Sequence, residues 1–97
     1  MKKKESERRR NFRFQPDPLA YALIDKEPEK DSFEPEHIGL IINESYGGCD
    51  LAVLLEYGIG EGDQLKIKLG ESGVMKAEVS WQRTLDYKVS RIGLQYL

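Results

Sequence analysis

The sequence predicts an all-β fold, a small antiparallel β-barrel of about six strands with a basic N-terminal arm. Short runs of alternating or β-branched residues recur roughly every ten residues, and turn sequences rich in Gly or Pro separate them. No segment has the i, i+3, i+4, i+7 apolar spacing of a long amphipathic helix. The length of 97 residues suits one domain with one small core.

Six runs of residues are predicted to form the strands. They are residues 19–25, 37–43, 49–55, 64–69, 74–81 and 90–97. The acidic loop 25–36 is interpreted as a solvated connection, because a calcium loop needs a glycine that this segment lacks. The remaining turns are predicted at residues 44–48, 57–63 and 71–73.

The alternation of apolar residues predicts which side chains fill the barrel. In the last three strands the inward positions are Leu65, Ile67, Leu69, Met75, Ala77, Val79, Trp81, Ile92, Leu94 and Tyr96. Trp81 is therefore expected in the core and not on the surface as a platform on which a base could stack.

The charges are unevenly distributed along the chain. It has 15 Lys+Arg and 17 Asp+Glu, a net charge of −2, yet residues 1–13 hold seven basic and two acidic side chains. Four arginines cluster there: Arg8, Arg9, Arg10 and Arg13. Guanidinium groups fork onto phosphate and onto the O6/N7 edge of guanine. The arm thus predicts an anionic partner, the alternative being a solvated terminus. We interpret residues 1–7 as a flexible basic tip and residues 8–97 as one domain.

Several function classes are disfavoured by the composition. No apolar run is long enough to span a membrane, and the basic N-terminus lacks the apolar stretch of a signal peptide. A single cysteine, Cys49, cannot form an internal disulfide, which favours a reducing, cytoplasmic compartment. One His and one Cys cannot build a zinc cluster, and no nucleophile–base pair is evident. We therefore expect neither an enzyme nor a metal site nor a cofactor.

Two short motifs stand about thirty residues apart and point to one ligand. Arg9 and Arg13 form an R-x-x-x-R pattern with Arg10 inside it. Residues 43–48 read N-x-S-x-x-G at the end of a hydrophobic strand. Taken alone, the second motif is also typical of an ordinary hairpin turn.

In this order and on an all-β background, the two motifs resemble the PilZ domain family, bacterial receptors for the second messenger cyclic di-GMP. The signature of that family is RxxxR followed by [DN]xSxxG on a β-barrel of about six strands. The resemblance covers residues 8–97 and includes the strand that holds Trp81 and the closing strand with Gly93 and Tyr96.

The resemblance implies a non-catalytic cyclic di-GMP receptor and a role for each motif residue. Arg9 and Arg13 would contact phosphate and guanine, with Arg10 as a secondary contact. Asn43 and Ser45 would hold the base edge, and Gly48 would shape the turn. An arginine at the position of Arg8 accompanies binding of two stacked nucleotides in this family, so two nucleotides per chain are favoured on charge-matching grounds. Binding would order the arm and change the surface offered to a protein effector.

Two alternatives remain open. A PilZ-fold adaptor would act through protein contacts without nucleotide. A nucleic-acid-binding barrel would use the basic arm, but the acidic body disfavours it. Asn43 replaces the commoner aspartate, and a neutral amide cannot accept two guanine N–H donors as a carboxylate does.

Overall fold

A computed structural model describes residues 21–97 of the chain, which form a closed antiparallel β-barrel. The strands are β1 (Tyr21–Asp25), β2 (His37–Glu44), β3 (Gly48–Leu54), β4 (Gln64–Leu69), β5 (Val74–Thr84) and β6 (Val89–Tyr96). Their order around the barrel is β1-β2-β3-β6-β5-β4, and β4 pairs with β1 to close it. The predicted all-β barrel of six strands is confirmed. The arm falls outside the described residues.

The barrel interior is filled by the alternating apolar residues of all six strands. Its most deeply buried large side chains include Ile24, Leu51, Leu65, Ile67 and Ile92. Leu69, Ala77, Val79 and Leu94 are also buried, as the alternation predicts, and Met75 and Tyr96 pack against this core. Burial of these side chains is the main force that closes the sheet.

The bounds of β2, β3 and β6 differ by one residue from those predicted, and the end of β5 differs by three. β5 continues to Thr84, and a 3₁₀ turn, Leu55–Tyr57, follows β3. Within residues 21–97 no helix has the length and apolar character needed to cross a membrane.

The acidic loop after β1 is exposed along most of its length, as expected of a solvated connection, but it is also anchored to the barrel. Asp25 is 3% exposed, and its carboxylate accepts hydrogen bonds from the backbone N–H groups of Glu27 (2.9 Å) and Glu34 (2.8 Å). The Lys66 ammonium donates to the carbonyl oxygens of Lys30 and Ser32, each at 2.6 Å. It also lies 3.8 Å from Asp25 Oδ2. The loop therefore wraps over a buried ion pair.

Two β-bulges interrupt the alternation, one in β2 and one in β5. In β2 the register shifts between Ile41, opposite the buried Leu51, and Asn43, opposite Asp50. A bulge places two residues opposite one, so Asn43 faces outward although Ile41 faces the core.

The bulge in β5 reverses the face of Trp81 in the same way. Val79 pairs with the buried Leu94, whereas Trp81 pairs with Gly93, the next residue along the partner strand. Trp81 is half-buried on the outer face of the barrel. The prediction that Trp81 belongs to the core is therefore wrong, because period-two alternation does not hold across a bulge.

Candidate ligand-binding surface

The turn between β2 and β3 is short and rests against β6. Both the backbone N–H and the hydroxyl of Ser45 donate to the carbonyl oxygen of Gly48, at 2.8 and 3.2 Å. The carbonyl oxygen of Gly47 accepts from the N–H of Tyr96 at 2.9 Å. A Cβ at Gly48 would overlap the backbone carbonyl of Leu94, so only glycine fits there.

A shallow pocket of about 250 Å³ opens beside this turn. It is lined by Asn43, Glu44, Ser45, Gly47, Gly48, Cys49, Asp50, Leu94 and Gln95. The three predicted site residues of the second motif therefore lie together around one pocket. The hydroxyl oxygen of Ser45 keeps its acceptor capacity while its proton serves the turn.

The β-ladder aligns the pocket with a row of outward-facing positions that crosses four strands. Asn43 on β2 is opposite Asp50 on β3, Asp50 is opposite Gly93 on β6, and Gly93 is opposite Trp81 on β5. Residues directly opposite one another in antiparallel strands have Cβ atoms about 5 Å apart. We name these four positions the cross-strand row.

Two arginines and one carboxylate surround the aromatic end of the cross-strand row. The guanidinium carbons of Arg83 and Arg91 lie 5.7 and 5.8 Å from the centre of the Trp81 ring. Arg91 also donates to Asp50 Oδ2 at 3.0 Å, which links Trp81 to the pocket. Among the described residues, the buried Arg91 Nε–H has no acceptor. This end of the row offers cationic and aromatic groups that suit a planar anion.

The thiol of Cys49, which lines the pocket, and the nearby hydroxyl of Tyr96 are both uncharged at physiological pH. Burial raises the pKa of the Cys49 thiol to about 11. Burial and the neighbouring Cys49 also raise the pKa of the Tyr96 hydroxyl. Neither group brings charge to the pocket, so the fixed charges come from the lining carboxylates Glu44 and Asp50 and from the nearby Arg91 and Arg83.

Four of the predicted site residues, Arg8, Arg9, Arg10 and Arg13, lie outside the described residues and stay predictions. The structure does fix where the described chain begins. Tyr21 is opposite Leu40, three positions before Asn43 on the antiparallel strand β2. Because the two strands run in opposite directions, β1 begins at the end of the barrel where Asn43 lies.

Asp50, Trp81, Arg83 and Arg91 were not recognised as site residues from the sequence. Asp50 and Arg91 are separated by 41 positions, and no short motif spans that distance. Trp81 was assigned from the sequence to the wrong face of the sheet, because a bulge cannot be recognised from the alternation of apolar and polar residues.

No protein-family model matches this chain, and searches of curated proteins and of solved structures give no match either. Residues 21–97 contain no group of three or more His, Cys, Asp or Glu side chains arranged to hold a metal ion. The fold is thus defined as a small closed antiparallel β-barrel, and the site is a polar outer surface flanked by arginines.

Proposed function

We propose that this chain is a PilZ-like receptor that binds cyclic di-GMP and reports it to a protein effector, without catalysing a reaction. The observation that carries the proposal is the cross-strand row. Two bulges turn Asn43 and Trp81 out of the barrel into the same row, and two arginines flank Trp81. Bulges that re-aim side chains are typical of functional sites.

The row matches the chemistry of the ligand, a dianion with two guanines. The indole of Trp81 offers a face on which a guanine stacks, and Arg83 and Arg91 offer charge to its phosphates. Asp50 lies beside Asn43 and has the carboxylate that the motif lacks in this chain. A carboxylate accepts both Watson–Crick N–H donors of guanine, so Asp50 compensates for the neutral amide of Asn43.

The start of β1 supports the participation of the arginine arm. Arg13 is eight residues before Tyr21, and an extended chain of that length spans up to about 26 Å. An arm of this length joins the barrel at the end where Asn43 lies, which supports contact between the arm and the pocket. Arg9 and Arg13 contact phosphate and guanine, Arg10 assists, and Arg8 accompanies a second nucleotide.

The remaining parts of the proposal concern the cellular compartment and the partners of the protein. The single cysteine is buried, in keeping with a cytoplasmic protein. The acidic body disfavours a nucleic-acid polymer as the partner. A protein-binding adaptor that takes no nucleotide is the second candidate, and it is favoured by exposed apolar side chains on the outer face of the barrel, such as Ile38 and Leu40.

Calorimetric titration of the full chain with cyclic di-GMP tests the proposal, with GTP and linear pGpG as competitors of related chemistry. We expect selective binding and a loss of roughly 10- to 150-fold in affinity for Arg9→Ala or Arg13→Ala, since each removes a charge-assisted contact of about 1.5–3 kcal/mol. A stoichiometry near two supports the assignment of Arg8, and a stoichiometry near one removes it.

Lys4→Ala is the matched control, because it removes the same charge from the same arm outside the motif. Equal losses of affinity in Lys4→Ala and Arg9→Ala would show that the arm contributes only nonspecific electrostatic attraction. No binding to a folded wild-type chain would reject the receptor and favour the adaptor.

A further inference from the structure

Large apolar side chains are exposed on the outer face of β2 and β3, next to the candidate site. Ile38 and Leu40 on β2 are 51% and 58% exposed, and Leu54 on β3 is 41% exposed. Together with Ala52 and Val89 they line a groove of about 160 Å³ whose walls are mostly apolar. We name these five residues the β2–β3 apolar surface.

A barrel strand with one face in water normally places polar residues on that face, so the β2–β3 apolar surface implies an occupant. The occupant cannot add a strand, because the closed order of the six strands leaves no free edge. It must instead pack side chains onto the face of the sheet.

We infer that the occupant is residues 12–19 of this same chain. This segment joins the barrel at Tyr21, directly opposite Leu40 and therefore at the margin of the surface. It contains three large apolar residues, Phe12, Phe14 and Leu19. The seven residue-to-residue steps from Phe14 to Tyr21 span up to about 23 Å, enough to cross two neighbouring strands about 5 Å apart.

The composition of the segment fits side-chain docking without strand pairing. Pro16 and Pro18 lack backbone N–H groups, so the segment cannot sustain a ladder of hydrogen bonds. Pro16-Asp17-Pro18 also turns the chain, which lets Phe12 and Phe14 fold back over Leu40.

The docked segment anchors the arginine arm. Arg13 lies between Phe12 and Phe14, so contact of both rings with the surface holds its guanidinium near β2. Leu40 is three residues before Asn43 on β2, and the anchor therefore sets the arm beside the pocket. The docking itself needs no nucleotide. An experiment can therefore reject the docking without rejecting the proposed receptor function, and the reverse.

Fluorescence of the apolar dye anilinonaphthalene sulfonate tests the inference on the full chain without nucleotide. We expect little dye binding by the wild type and a several-fold increase in the double variant Phe12→Ser/Phe14→Ser. Adding Ile38→Ser and Leu40→Ser to the double variant removes the increase. Adding Val74→Ser does not, since Val74 is exposed on β5 away from the surface.

A second measurement identifies the contact directly. Nuclear Overhauser effects are expected between the phenyl protons of Phe12 or Phe14 and the methyl groups of Leu40 or Leu54. Equal dye fluorescence in the wild type and the double variant, whether high or low, would overturn the inference. A wild-type dimer in sedimentation equilibrium that Leu40→Ser dissociates would also overturn it, because the occupant would then be a second copy.

Discussion

The indole of Trp81 packs directly against the backbone of Gly93, its opposite residue on β6. A Cβ at position 93 would overlap the five-membered ring of the indole. Gly93 thus leaves the space in which Trp81 lies next to Arg83 and Arg91. Trp81 can occupy its place on the cross-strand row only because residue 93 has no side-chain methyl group.

Gly93→Ala is expected to displace Trp81 and to destabilise the barrel. Insertion of a methyl group into a filled space costs about 1–3 kcal/mol, and the displaced indole becomes more exposed. Urea unfolding and a red shift of tryptophan emission measure the two effects. Gly73→Ala is the control, because a Cβ at Gly73 meets no atom within 4 Å. A folded Gly93→Ala variant with unchanged emission would contradict the packing described.

Two adjacent glycines in the β2–β3 turn are expected to respond differently to alanine. A Cβ at Gly48 overlaps the backbone carbonyl of Leu94, which cannot move without breaking the pairing of β3 with β6. We expect Gly48→Ala to lower the free energy of unfolding by about 1–3 kcal/mol or more. A Cβ at Gly47 meets no atom within 4 Å, so Gly47→Ala is expected to change the free energy of unfolding by less than about 0.5 kcal/mol. Denaturant titration of both variants measures these changes. Equal losses in the free energy of unfolding would contradict the prediction.

The buried pair of Asp25 and Lys66 predicts a pH dependence. Hydrogen bonds from the backbone N–H groups of Glu34 and Glu27, together with the charges of Lys66 and Lys30, hold the pKa of Asp25 below its ordinary value against the opposing effect of burial. A lowered folded-state pKa contributes stability that is fully present above the unfolded pKa of about 3.9 and is lost as the pH falls through the folded pKa.

Asp25→Asn removes this contribution and leaves the Lys66 ammonium buried without its charge partner. We expect a loss of about 3–5 kcal/mol at pH 7, and a difference from wild type that narrows as the pH falls from 5 towards 2. Urea unfolding at several pH values measures it. Asp31→Asn, an exposed position in the same loop, is the matched control. If the difference in the free energy of unfolding stayed constant across the acidic range, the titration of Asp25 would not be coupled to folding.

Trp81→Leu tests the stacking platform of the proposed cyclic di-GMP receptor. Base–aromatic stacking is worth about 1–3 kcal/mol, so the affinity is expected to fall roughly 5- to 150-fold. Tyr87→Leu, which alters an exposed aromatic residue of the β5–β6 turn, should leave the affinity unchanged. Calorimetric titration compares them, and an unaffected Trp81→Leu variant would remove Trp81 from the site.

Cys49 is expected to resist thiol reagents in the folded barrel. Burial raises the pKa of its thiol to about 11, well above its ordinary value, so the reactive thiolate is scarce at pH 8. Reaction with a chromogenic disulfide should therefore be slow in buffer and fast in urea. Equal rates in the two solvents would show that the thiol is open to the pocket.

The all-β architecture could be predicted from local patterns because a strand repeats every two residues and turns have characteristic residues. The buried positions on β4 and β6 follow the alternation directly, as Leu65, Ile67 and Ile92 illustrate. The turn that holds Asn43, Ser45 and Gly48 was also evident as a motif, since its residues are close in sequence.

The composition of the cross-strand row was decided by the tertiary structure. Two bulges reverse the faces of Asn43 and Trp81, and a bulge depends on the partner strand as well as on the residues that form it. The β2–β3 hairpin then places Asp50 opposite Asn43, and the pairing of β3 with β6 brings Arg91 to Asp50.

The sequence by itself therefore determined the class of fold, the core positions of regular strands and the turn motif, because each depends on neighbouring residues. Only the tertiary structure decided which side of the barrel Trp81 occupies, which carboxylate accompanies Asn43 and how Lys66 holds the acidic loop. Each of these depends on the register in which strands pair and on contacts across the barrel, and no run of neighbouring residues specifies either.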